Sequence, residues 1–359
     1  MASTVASNTG SDVPNAQMRA PAGIPPHVQL SQMGVAIWPA RAVYAAAELG
    51  IADLLANGPR EVQEIACQTG THVRSLSRLM RALASCGIVD EIHPGLFTTT
   101  ALGDALRDGA PGAARATILT IAGSWQWKAW DHFLHALRTG QSGVEAAFGK
   151  DLFGFLSGEP VHSARFNDAM VGMHGAVAPA VVAAYDFSRF RSLVDVGGGK
   201  GALLAEILKV HPQMTGILFD LPDTENHARD YIAASGLEAR CAFCAGDFFD
   251  HLPSGHDAFV LAHVLHDWTD DDAVAILRKC REAMPAEGRL LIVEAVLPDG
   301  NAPHHGKLMD LLMLTVTGGV ERSQDEFAQI LAQAGFRLGC VHPTTTHQSI
   351  IEAFPCDQG

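Results

Sequence analysis

A glycine-rich turn, with three acids in phase behind it, carries the first chemistry legible in this chain. Leu193-Val194-Asp195-Val196-Gly197-Gly198-Gly199-Lys200-Gly201 reads as an apolar strand, a tight turn and a helix start. Such a turn lets bare backbone approach a nucleotide-like ligand closely. Two ligands compete for it. Gly197-x-Gly199-x-x-Ala202 fits the dinucleotide fingerprint, with Asp220 placed about 20 residues on, where a ribose-binding acid belongs. The other candidate is S-adenosylmethionine, whose sulfonium and amino groups need no phosphate cradle. Asp195 suits a cationic amino-acid end better than a pyrophosphate, and no basic cluster stands beside Asp220 to hold a phosphate. Ile217-Leu218-Phe219-Asp220 and Ala242-Phe243-Cys244-Ala245-Gly246-Asp247-Phe248 are two further strand-like runs, each ending in an acid. Acids at the carboxyl ends of three successive strands line one crevice of an open α/β sheet. Asp195 then faces the amino-acid end of the cofactor, Asp220 the ribose hydroxyls and Asp247 the adenine. Any one such Asp is ordinary turn chemistry; three in phase favour S-adenosylmethionine.

The elements that must position these acids follow from the pattern. From Phe187 onward strand and helix alternate, which predicts a mostly parallel sheet. Ala258–Ala262 is the fourth strand, Asp271–Ala283 a helix and Arg289–Glu294 the fifth strand. A helix over Gln324–Ala334 and two strands, Phe336–Val341 and Ser349–Phe354, close the domain. Upstream, Glu61–Ala66 and Arg74–Leu83 read as a helix-turn-helix, and Ile88–Ile92 with Gly95–Thr100 as the wing of a winged helix. Residues 1–27 are polar, small and Pro/Gly-bearing, with neither a basic start nor an apolar core, and are expected to be a disordered tail. The expected domains are therefore the tail, a winged-helix-like region over 28–110, a helical linker over 111–186 and the cofactor domain over 187–355.

Composition narrows the function. At 359 residues the chain has room for two domains, and no apolar run is long enough to span a membrane. A net charge of −14 argues against a nucleic-acid partner. Seven cysteines scattered singly give no disulfide framework and fit the reduced thiols of a cytosol. Cys241-x-x-Cys244 lacks a second pair and reads as two small apolar residues of a strand.

With the turn at Val194–Gly199, then His266-Asp267-Trp268, Glu294 and Gly318-Gly319-Val320-Glu321-Arg322-Ser323, the sequence resembles one family over about Val28 to Phe354. It is similar to the S-adenosylmethionine-dependent small-molecule O-methyltransferases, of plant caffeate and hydroxyindole type and of bacterial antibiotic and pigment tailoring. The resemblance implies a class I methyltransferase domain, an α/β doubly wound sheet of seven strands with the last antiparallel. It also implies an α-helical, winged-helix-like amino-terminal dimerisation domain, and hence a homodimer. Carried over by motif, Asp195, Gly197, Gly199, Asp220, Leu221, Asp247, Phe248 and Ala262 bind the cofactor. His266 is the general base, with Glu294 and Glu321 flanking and orienting it. Plant members often carry Lys where this chain has Ala262, with His263 next to it. The chemistry agrees: a phenol titrates near ~10 and an unperturbed His near ~6.5, so His takes the proton as the new bond forms. A carboxylate on the other ring nitrogen fixes the tautomer and stabilises the imidazolium.

By the same pattern Phe166, Met170, Met173, Asp267, Leu312, Met313 and Val316 line the acceptor pocket. Apart from Asp267 these are apolar, which points to a flat aromatic or polyketide-like acceptor. Core packing is the competing reading for Leu312 and Met313. Three alternatives stay open from sequence. Metal ligation by His266, Asp267 and His304-His305 lacks tight spacing. A relative's non-methylating chemistry (hydroxylation, decarboxylation or a pericyclic reaction) could use the same pocket. A DNA-binding regulator would use Arg74, Arg78 and Arg81, which share one helix.

Overall fold

The computed structural model describes residues 23–356, which divide into two units. One holds the described residues up to Phe133 together with Gly143–Gly175; the other holds Leu134–Ser142 and the chain from Ala176 on. The expected tail over 1–27 lies outside the described residues as far as residue 22, and a helix already starts at Pro26.

In the amino-terminal unit, strands β1 (Arg60–Glu61), β2 (Val89–His93) and β3 (Leu96–Thr99) form an antiparallel sheet in the order β1-β3-β2. The helices Val62–Thr69 and Val73–Ser85 precede the β2–β3 hairpin, the order of a winged helix. Leu76, Met80 and Leu83 recur at helical spacing and are buried with Ile51, Leu55, Ile65 and Phe97 in one apolar cluster. Arg74, Arg78 and Arg81 occupy the exposed side of the same helix. The helix Pro160–His174 carries Phe166, Met170 and Met173, all half-buried, at spacings of four and three that put them on one face.

The second unit is built on β4 (Ser192–Val196), β5 (Thr215–Asp220), β6 (Cys241–Ala245), β7 (Ala258–Ala262), β8 (Arg289–Leu297), β9 (Arg322–Ser323), β10 (Phe336–Pro343) and β11 (Gln348–Pro355). Seven strands lie in the order β10-β11-β8-β7-β4-β5-β6, and the two-residue β9 adds to the end of β8. β11 runs antiparallel to both its neighbours, while β4 to β8 are mutually parallel. The expected seven-stranded sheet is thus present, with β9 as an addition. Alternate residues feed two cores, as the period of a strand demands. Leu193, Leu218, Val260, Leu291 and Val293 pack with the helix Ala202–Val210, and Val194, Phe219, Phe259, Leu290 and Ile292 with the helix Asp270–Ala283.

The chain winds outward from β4 to β6 and then returns to the other side of β4 as β7. That reversal opens a crevice at the carboxyl ends of β4 and β7, where an open α/β sheet binds ligands. The glycine turn follows β4, and His266 follows β7.

Candidate active site

The glycine turn is closed by Gly197 N–H donating to Phe219 C=O at 2.8 Å and Gly201 N–H to Gly198 C=O at 2.9 Å. Gly199 stands at φ +58° with nothing within 4 Å of where a Cβ would be, so the turn is open beside it. Asp220 ends β5 and is held there by two amides. Gly199 N–H donates to its Oδ2 and Leu221 N–H to its Oδ1, each at 2.7 Å. Burial raises the Asp220 pKa, and those two N–H groups oppose the rise. Each carboxylate oxygen keeps lone pairs for a ribose diol.

Asp195 is placed differently from the other acids. It is 1% exposed, with its carboxyl under Gly198, and neither oxygen has a hydrogen-bond partner among the described residues. Burial, then the charge of Asp220, pushes it up to about 7, with the Leu204 N–H pulling weakly the other way. Asp247 lies two residues beyond β6, exposed, and accepts the Phe249 N–H at 2.8 Å. Phe248 packs edge-on against Trp268 at 5.9 Å between ring centres, which ties the third acidic loop to the His-Asp-Trp segment. Leu221 is exposed and Ala262 is the last residue of β7.

His266 sits in a single 3-10 turn, Leu265–Asp267, with its Nδ1, backbone N–H and C=O all held. Its Nδ1 lies 2.8 Å from Glu321 Oε1, and Glu321 is almost fully buried. Its backbone N–H donates to Glu294 Oε1 at 3.1 Å, as does the Val264 N–H at 3.2 Å. Its C=O accepts the Val320 N–H at 2.9 Å. The resemblance has Glu294 and Glu321 flanking His266; Glu321 meets the ring, and Glu294 holds the main chain of the turn. The remaining ring nitrogen, Nε2, has Asp267 Oδ1 at 4.0 Å, too far for a hydrogen bond but close enough for charge to act.

The electrostatics follow from three acids around one imidazole. Burial disfavours a charged His266, yet Asp267, Glu321 and Glu294 outweigh it and push its pKa up to about 10. Burial pushes Glu294 to about 7, with His266 and Arg322 pulling the other way. Asp267 is also raised by burial.

The segment after the helix His305–Val316 supplies the other half of the grip. Gly319 packs so tightly on the His266–Asp267 backbone that any side chain there would collide with it. Val320 and Glu321 bond His266 as described, and the Glu321 N–H donates to Asp310 Oδ1 at 2.9 Å. Ser323 and Glu326 form a reciprocal capping box that starts the next helix, Gln324–Gln333. Two features here escaped the sequence reading. His263 takes φ +55°, a left-handed conformation rare outside glycine, between Ala262 and the His266 turn. Its ring centre lies 5.6 Å from that of His266. Arg322 is the other, and it is fully buried.

On the helix His305–Val316, Met313 and Val316 are buried and Leu312 half-buried, so the core role weighed for Met313 has support. His304 caps that helix, its Nδ1 accepting the Gly306 N–H at 3.2 Å, while the His305 ring packs on His347 at 4.9 Å. Among the described residues no group of three or more His, Cys, Asp or Glu is arranged to hold a metal. Arg74, Arg78 and Arg81 line a groove of about 720 Å³ with Glu91 and Phe97, a place that contains none of the site residues above.

Known proteins share this arrangement. Residues 130–337 match the O-methyltransferase domain and residues 36–108 the O-methyltransferase dimerisation domain. The phenazine O-methyltransferase PhzM of Lysobacter antibioticus is 44% identical over 91% of this chain and 95% of its own. The crystal structure of LaPhzM superposes with a TM-score of 0.88 at 43% identity, covering 92% of this chain and 100% of that one. NcsB1, an O-methyltransferase from neocarzinostatin biosynthesis solved with S-adenosylmethionine and 2-hydroxy-5-methyl naphthoic acid, gives 0.79 at 36% identity over 89% and 96% of the chains. This chain belongs to the O-methyltransferase family. Its reaction is methyl transfer to oxygen, and its cofactor is S-adenosylmethionine rather than a dinucleotide. The open turn at Gly199 and the doubly held Asp220 carboxylate are a cradle of suitable chemistry for that cofactor. No helix is long and apolar enough to cross a membrane, among the described residues.

Proposed function

We propose that this enzyme methylates a phenolic hydroxyl on a flat aromatic small molecule, with His266 as general base. The observation that carries the reading is the 2.8 Å contact of His266 Nδ1 with the buried Glu321 carboxylate, which leaves Nε2 for the acceptor. S-adenosylmethionine, when bound, supplies an electrophilic methyl group on a positively charged sulfur. As the acceptor oxygen took that methyl, with the methyl–sulfur bond breaking to leave the neutral thioether S-adenosylhomocysteine, its proton would pass to Nε2, and Glu321 would stabilise the imidazolium so formed. Positioning of the acceptor contributes much of the rate, since an in-line approach is required. A ring held up to about 10 lies close to the ordinary ~10 of a phenol, so the proton moves between near-equals. The ring must first give up its own proton, which the positive sulfur favours.

Asp220, Leu221, Gly197, Gly199, Asp247, Phe248 and Ala262 are assigned to the cofactor, and Asp195 to the floor of its loop. Asp267, Leu312, Met313 and Val316 are assigned to the acceptor, and the assignment of Phe166, Met170 and Met173 rests on the sequence pattern alone. Apart from Asp267 these are apolar, which, with the ring systems named for PhzM and NcsB1, supports an aromatic acceptor. The dimerisation-domain match supports a homodimer, for which light scattering should give twice the chain mass. The free thiols suit the cytoplasm.

The experiment is His266→Ala, assayed by single-turnover methylation over a panel of hydroxylated aromatics with binding of S-adenosylhomocysteine in parallel. Turnover should fall by about 10²–10⁴-fold with cofactor affinity unchanged. Wild-type turnover in the variant would leave positioning alone to explain the rate.

A further inference from the structure

Arg322 is an anomaly by burial: a guanidinium with no exposure, in a two-residue strand between a catalytic glutamate and a helix cap. A buried cation is costly unless its donors are met. Here four bonds hold it, three of them to the short stretch 265–270. Nη1 donates to Leu265 C=O at 2.9 Å and to Val320 C=O at 3.2 Å, Nη2 to Trp268 C=O at 2.9 Å and Nε to Asp270 Oδ1 at 2.9 Å. Leu265 and Trp268 stand on either side of His266-Asp267. The two arms of the guanidinium therefore grasp the catalytic turn before and after the base. Arg322 also pairs with Val296 of β8, two residues beyond Glu294.

We propose that Arg322 is a positioning residue for methyl transfer, its planar fork holding the His266 turn at the distance from Glu321 that the base requires. Its side chain thus joins the segments that carry His266 and Glu321, and its backbone pairs with the strand that carries Glu294. A lysine would keep the charge but could not span the Leu265 and Trp268 carbonyls with one ammonium. The inference rests on the reading of His266 as the base, but its first readout does not.

That readout is the His266 ring titration, followed by NMR in the full-length protein. The groups facing the ring are Asp267 on its own turn, Glu294 from β8, Glu321 from the segment before β9 and His263 from the end of β7, with Asp310 bonded behind Glu321. Arg322→Lys keeps the positive charge, so a change in titration reports geometry. The ring pKa should fall toward its usual value as the Glu321 contact loosens, and single-turnover methylation should fall about tenfold or more. Affinity for S-adenosylhomocysteine and KM for the acceptor should stay the same. Asp270→Ala releases only Nε, and Asp270 is 64% exposed, so this variant leaves the fold intact. It should move the same two readouts in the same direction by less, and it carries the test if Arg322→Lys does not fold. A lower Tm with an unchanged titration and rate would make Arg322 merely structural and overturn the proposal. An inactive wild type, or a fully active His266→Ala, defeats the functional reading instead, and the titration still decides the positioning.

Discussion

Glu294 meets His266 through the main chain: its Oε1 accepts the His266 N–H at 3.1 Å, while the ring is left to Glu321. The two glutamates are therefore not interchangeable. Glu321→Gln removes the charge that stabilises the imidazolium and should lower single-turnover methylation by about 10–10²-fold with little change in Tm. Glu294→Gln keeps an acceptor for the Val264 and His266 amides and should cost far less activity. Glu294→Ala leaves those amides unmet in a buried place and should cost about 1–3 kcal/mol of stability. Equal rate losses in Glu294→Gln and Glu321→Gln would contradict this division.

Asp220→Ala should weaken S-adenosylhomocysteine binding by about 1.5–3 kcal/mol, the loss expected for hydrogen bonds to a charged acceptor. The Gly199 and Leu221 amides also lose their partner, so the loop loosens as the ribose contact goes. Calorimetry measures it. An unchanged dissociation constant would reduce Asp220 to a turn residue.

Stability should decline as pH rises across the neutral range. Asp195 is raised from 3.8, and Glu294 from 4.5, to about 7, and His266 from 6.5 to about 10. Each holds its proton more tightly folded than unfolded, so each contribution is present below the usual value and lost as pH climbs to the raised one. The two carboxyls act between about pH 4 and 7, and His266 between about pH 6.5 and 10. Asp195→Asn mimics the protonated acid and should flatten the acid-side slope and raise Tm at pH 8, by about 2–4 °C for each kcal/mol recovered. A lower Tm at pH 8 would mean that the Asp195 charge is welcome where it sits.

Binding of S-adenosylmethionine should release protons near pH 8, and binding of S-adenosylhomocysteine should release fewer. The positive sulfur opposes a charged His266, whereas the neutral thioether does not. Calorimetry in two buffers of different ionisation heat counts those protons. His266→Ala should erase the difference. Equal proton counts for the two ligands in the wild type would show that the sulfur charge does not reach the ring.

The crevice was legible because its acids sit where strand periods end. Asp220 and His266 stand at such ends, and the order of β4 to β8 follows from alternating runs. What was not legible depends on contacts between distant segments. Glu294 grips the backbone because Val264 and His266 turn their amides toward β8, a direction that no residue type encodes. Arg322 reads as a solvated charge until four acceptors, from Val320 and from a stretch about fifty residues upstream, converge on it. Asp195 is an acid before a glycine turn in sequence, but one step inside the strand end the pleat points it under the loop. The left-handed backbone at His263 has no signal in its residue type, since glycine would be the ordinary choice there.

The Asp310–Glu321 bond has a practical consequence for retargeting this enzyme to new acceptors. On the proposed assignment, the helix His305–Val316 offers Leu312, Met313 and Val316 as natural positions to vary, yet it also carries Asp310, whose carboxylate accepts the Glu321 N–H beside His266. Libraries that randomise the whole helix would mix altered selectivity with crippled proton transfer, and most of their members would look inactive for the second reason. Holding position 310 as aspartate while the apolar positions change separates the choice of substrate from the competence to methylate it.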